Sequence, residues 1–143
     1  MLAVNTTEFS IKSDTIANPA GGADFTIPAI LSLRRELLSL RFTFTCDATV
    51  LNRLVHLHHT DGTNVTGVST GPGLQTASEA IIYEFATGQL TLDASGPLGL
   101  MQGQIPTNTF MNGGDSIYSV IDNIQAGDAI TDITLRYKFW YVT

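Results

Sequence analysis

His56-Leu57-His58-His59 is the densest group of chemically capable side chains in the chain. In an extended segment His56 and His58 project from one face, where two imidazoles could begin a metal site. A jelly-roll metal enzyme of the cupin type would place a Glu a few residues later and a further His on a later strand. Here Asp61 is the nearest acid and there is no fourth histidine. The plainer expectation is a polar strand face with Leu57 packed behind it. Cys46 is the only cysteine, so no disulfide forms within the chain; it falls in phase with Leu40, Phe42 and Phe44 and reads as a small buried hydrophobe. No Gly-x-Ser-x-Gly elbow accompanies the available Ser, His and Asp residues. The segments around Gly71-Pro72-Gly73 and Gly96 to Gly103 precede no helix that could cradle a phosphate. Asp115 and Asp128 each follow a Gly and precede a strand, where Asp bonds turn amides. Calcium is the sharper rival, but the acids lack the dense alternation of a calcium loop. These residues specify no catalytic centre, and the expectation is a non-enzyme without a cofactor.

The elements that must position these side chains are strands. From Ile130 to Val142 apolar and polar residues alternate, with Ile133, Leu135, Tyr137, Phe139 and Tyr141 on one side and Trp140 on the other. Leu38 to Cys46 repeats the rhythm, and a period of two belongs to a half-buried strand. Further strands are expected at Leu51 to Thr60, at Asn64 to Val68 across the Asp61-Gly62 turn, at Ser78 to Ala86 and at Ser116 to Ile124. Ile30 to Leu37 reads as strand or a single helical turn. Ala94 to Pro106 is Gly- and Pro-rich, and little regular structure is expected there. Seven or eight strands with regular turns make an all-β, single-domain antiparallel protein, a sandwich or a barrel. Residues 1–29 read as an N-terminal arm with short strands and residues 30–143 as the sandwich domain, so deleting the arm is expected to leave a folded domain.

Composition narrows the class of function. Of 143 residues 14% are charged against about 25% in ordinary domains, and nineteen Thr supply neutral polarity suited to pleated strands. The formal net charge is −6, and Leu54 to Leu135 holds eight acids and no Lys or Arg. Such a surface repels phosphate backbones, which disfavours nucleic acid as a partner. No run approaches the roughly 18 apolar residues of a membrane span, so a soluble chain without membrane association is expected. Arg34, Arg35 and Arg41 form the only basic cluster, read first as pairing with Glu36 and second as a contact for a partner.

The order of segments carries a resemblance. Leu38 to Thr49 is followed by Asn52 to His58, Asp61-Gly62-Thr63-Asn64-Val65, Gln75-Thr76-Ala77-Ser78, Gly114-Asp115-Ser116-Ile117 and Asn123 to Ile130, leading into an aromatic last strand. Over Leu37 to Tyr141 this resembles small head-associated β-sandwich proteins of tailed bacteriophages. The resemblance implies a jelly-roll-like antiparallel β-sandwich that serves as a capsid decoration (cement) protein, commonly a homotrimer, made in the host cytoplasm and seated on the outer capsid surface, where it bridges major capsid protein subunits. No binding residues carry over from such families. The N-terminal arm and the edges around Arg34, Arg35 and Trp140 are the candidate interface. The alternative is a phage tail- or fibre-associated carbohydrate-binding module, with Tyr118, Trp140 or Phe110 as stacking faces.

Overall fold

The computed structural model describes residues 8–142. Two long strands form its central ribbon. β3 (Leu33–Thr45) and β11 (Ala129–Tyr141) pair antiparallel along their full length, from Leu33 opposite Tyr141 to Thr45 opposite Ala129. Ile30 to Leu37 thus contributes strand rather than helix from Leu33 onward. Opposite Arg136/Tyr137 the register shifts, leaving Leu38 as an extra residue. Leu37 and Leu40, three apart, therefore both face inward. A second shift between Thr131 and Thr134, with Asp132 at φ 55°, rephases β11 so that Ile130 and Ile133 are both buried.

Around this ribbon stand β1 (Ser10–Ile16), β2 (Thr26–Ile27), β4 (Val55–Thr60), β5 (Val65–Thr70), β6 (Ala80–Thr87), β7 (Leu92–Ala94), β8 (Leu100–Ile105), β9 (Phe110–Met111) and β10 (Ser116–Ile121). The larger sheet has the order β1-β11-β3-β6-β8-β7, with β9 also paired to β3; the smaller is β2-β10-β4-β5. The protein is an all-β sandwich, as its alternation implies. One pair departs from antiparallel order, β6 with β8. The connection between them contains β7 and a single helical turn, α1 (Ser95–Leu98), so Ala94 to Pro106 is largely regular, against expectation. The alternation of Met101, Gly103 and Ile105 supplies the buried face of β8. Gly103 sits opposite Phe85, and a Cβ there would lie 2.6 Å from the Phe85 ring. The ring of the neighbouring strand fills the place of the missing side chain.

Between the sheets, Phe42 stacks on Tyr83 at 5.4 Å and meets Phe25 edge-on at 5.1 Å. Each buried ring contributes on the order of 2–3 kcal/mol of transfer free energy. Phe25 and Ile27 are core residues, which corrects the expectation of a separable arm. β1 lies on the edge of the large sheet and β2 on the edge of the small one. Ser119, itself buried, fastens the segment: its Oγ accepts from the Phe25 amide at 3.0 Å and donates to Asp24 at 2.7 Å. Gly22 donates its amide to the Asp128 carbonyl at 2.9 Å, and a Cβ at Gly22 would meet the Ala126 backbone at 2.8 Å. A cut at residue 29 would remove an edge strand from each sheet together with two core side chains.

Candidate functional site

Trp140 and Arg34 are direct partners across β11 and β3, on the outer face of the large sheet. Their outward position follows from the alternation of both strands: Tyr137 is buried and Phe139 packs against the core, which leaves Trp140 on the other face, while Tyr141, expected on the buried side, is 66% exposed at the strand end. The Arg34 guanidinium lies 4.1 Å above the Phe110 ring and 6.0 Å from that of Trp140. β9 brings Phe110 to the face by pairing it with Glu36. Phe9 completes the group, 5.9 Å from Trp140, with Lys138 Nζ 5.1 Å above its ring and 3.6 Å from Glu36. Phe9 and Ile11 remain 51% and 50% exposed. The result is an aromatic and cationic surface on a sheet face, with each cation over a ring.

Arg35 occupies the opposite face and is only 3% exposed, which corrects its place among exposed edge residues. Alternation forces this: if Arg34 and Glu36 face out, Arg35 faces in. There it donates to the Pro28 carbonyl and packs 5.2 Å from the Tyr137 ring. Burial draws its pKa down, opposed by Tyr137 and Asp14. Tyr137 in turn donates to the Asp14 carboxylate. That bond holds the Asp14 pKa below its ordinary value, while burial, aided by Asp14, pushes Tyr137 up to about 12.

The histidines divide as their alternation implies. His56 and His58 face outward on the small sheet, with ring centroids 6.3 Å apart. His56 bonds Thr70 Oγ1 through Nδ1 at 3.0 Å and approaches Asp122 through Nε2 at 3.3 Å. His58 lies against Tyr118, 5.3 Å between centroids. His59 points inward and meets Ser69; burial, and secondarily the charge of His58, lowers its pKa. Among the described residues no three His, Cys, Asp or Glu side chains converge on a metal position. Cys46 is buried, and burial raises its thiol pKa to about 11, which disfavours the thiolate.

The most heavily bonded side chain among the described residues is marked by no motif in the sequence. Arg53 is fully buried, and all five of its N–H donors are engaged. Nε and Nη2 donate to the two Asp128 oxygens at 3.1 and 3.0 Å, Nη2 also to Asp47 at 2.8 Å, and Nη1 to the Thr49 and Leu51 carbonyls at 2.8 Å each. Asp128 also accepts from the amides of Asp47 and Gln125, both at 2.8 Å. Its turn role is present, but it chiefly ties the start of β11 to the loop before β4. Asp115 keeps the simpler role, accepting from the Asn112 amide at 2.7 Å. The only sequence signal for the cluster was a lone Arg in an apolar stretch.

No protein-family model matches the chain, and no curated protein matches it. Among solved structures, a chain of the nora virus structure is similar at 14% identity with a TM-score of 0.24, over 94% of this chain. The alignment spans 55% of that viral chain. An overlap this low does not establish a common fold, so the functional reading rests on this chain's own surfaces.

Proposed function

We propose that the chain is a structural protein of a virion, a decoration protein on the outside of a tailed-phage head that strengthens contacts between major capsid protein subunits. The outer face of the large sheet carries this reading. Phe9, Ile11, Phe110 and Trp140, interleaved with Arg34 and Lys138, combine the aromatic rings and the arginine that are enriched at interface centres. Few charges elsewhere lower the desolvation cost of broad contact. A homotrimer would present the face three times, so modest contacts would sum through effective concentration. The order of sequence segments supports the same assignment. Work of this kind needs no reactive group: the partners are protein surfaces, the site of action the capsid exterior and the place of synthesis the host cytoplasm.

Quantitative mass spectrometry of purified virions tests the reading, together with cryo-electron microscopy of heads incubated with the full chain. The expected result is a high-copy component whose density covers subunit junctions. Trp140→Ala should cut occupancy at least tenfold while the chain stays folded. A chain abundant in infected cells and absent from virions would overturn the proposal. The carbohydrate-binding alternative has less support at two of its three rings, because Phe110 carries the Arg34 guanidinium and Trp140 packs between Phe9 and Phe110.

A further inference from the structure

Among the described residues five strands have a free side, and four of them are guarded, β9 by having only two residues. β1 carries Lys12 and Asp14, paired at 3.2 Å; β2 has two residues; β7 has three, including Asp93. β5 differs. Its six residues, Val65–Thr70, contain no charge and no proline, and Val65 and Val68 are 50% and 52% exposed. Proteins ordinarily blunt an edge with Lys, Pro, a bulge or brevity, because its unpaired amides and carbonyls template another strand; β5 has one register shift, at Thr66, and Gly67 to Thr70 beyond it pair regularly.

The phase of the open groups follows from the ladder. The Gly71 amide donates to the Val55 carbonyl at 2.8 Å, which makes that pair mutually bonded. Counting back by twos, Ser69 with Leu57 and Gly67 with His59 are the bonded pairs. Val68 and Thr70 therefore aim their N–H and C=O groups away from β4, at the free edge. Room for a strand lies alongside. An open depression of about 490 Å³ between Val68, Thr70, Gln104 and Thr107 adjoins another of about 250 Å³ that shares Val68, Pro106 and Thr107.

Charge selects the occupant. Asp61 and Asp115 border a smaller hollow beside Thr66, and Asp122 stands by His56 near Thr70. All residues lining these hollows fall between Leu54 and Leu135, where no Lys or Arg occurs; Arg34 approaches only at the far end, over Phe110. A second copy would bring the same acids to the edge and its own net charge of −6, so like charges would oppose self-pairing. We propose that the free edge of β5 accepts an extended segment of a partner protein as a fifth strand of the small sheet. That segment carries Lys or Arg at its ends and small or β-branched residues between them. Backbone bonds would supply affinity and the flanking acids the choice of partner. The edge adjoins the aromatic face only at Phe110, which lines the smaller depression, and the inference stands on the open groups of β5, so it does not depend on the virion reading.

Selection of a random twelve-residue peptide library on the full chain tests this. Enriched peptides should alternate β-branched residues between basic ends and slow amide exchange of Val68 and Thr70 at least tenfold. Val68→Lys, which leaves the bonds to β4 in place, should weaken them at least tenfold; Val68→Thr should not. Enriched peptides indifferent to Val68→Lys, or no enrichment, would overturn the inference. So would concentration-dependent protection of the same amides without peptide, because it would identify a second copy as the occupant.

Discussion

Replacing Asp128 with Asn probes the buried Arg53 cluster at its most sensitive atom. The Asp128 carboxylate accepts four hydrogen bonds, from Arg53 Nε and Nη2 and from the Asp47 and Gln125 amides. An amide group in its place turns one oxygen into a donor that faces other donors. It also leaves the Arg53 charge with Asp47 as its only carboxylate partner, and that side chain is 25% exposed. Burial alone lowers the Arg53 pKa, but its hydrogen bonds and the charge of Asp128 reverse the direction, so the guanidinium stays charged. Removing one member of a buried pair costs about 3–5 kcal/mol, a large share of the roughly 5–15 kcal/mol that holds a domain folded. With a urea slope near 2 kcal/mol/M, the unfolding midpoint should fall by about 2 M. Arg53→Met should lose a similar amount by leaving Asp128 buried and unpaired. The double variant should lose at least about 1.5 kcal/mol less than the sum of the two single losses, since neighbours in one network couple. An Asp128→Asn loss below about 1 kcal/mol, or strict additivity in the double variant, would refute this account of the cluster.

Gly103→Ala should cost about 1–3 kcal/mol in urea melts by forcing the buried Phe85 ring aside, whereas Gly96→Ala, with open space around it, should change little. Phe25→Ala should cost about 3–5 kcal/mol, and deletion of residues 1–29 should give a chain without the near-ultraviolet dichroism of packed aromatic rings. His59 makes stability depend on pH. Its pKa in the fold lies below the ordinary value of about 6.5 that the unfolded chain keeps, so on acidification the unfolded chain binds the proton first. The urea midpoint should therefore fall as pH drops from 7.5 to 5.5, and His59→Gln should flatten that fall; an unchanged slope in the variant would exclude His59 as its source.

The sandwich was legible because burial on one face of a strand imposes a period of two, and Ile133 to Tyr137, Leu40 to Cys46 and Ile81 to Phe85 keep that period. The Asp61-Gly62 turn was legible for an equally local reason: Asp61 accepts from the Thr63 and Asn64 amides and Gly62 takes φ 95°. β8 was not, since a Gly interrupts it, Pro97 and Pro106 flank it, and Gly103 is explained only by a ring on β6. The candidate surface divides in the same way. Opposite faces for Trp140 and the residues beside it follow from the chain's alternation, but the partnership of Trp140 with Arg34, Phe110 and Phe9 joins four separate strands or segments. Arg53 meets Asp128 across 75 positions, and Phe25 meets Ser119 across 94. Side-chain direction is a local property of the backbone and can be read along the chain. Which distant groups share a face, an edge or a buried charge depends on how the strands order and register, and tertiary packing decides that.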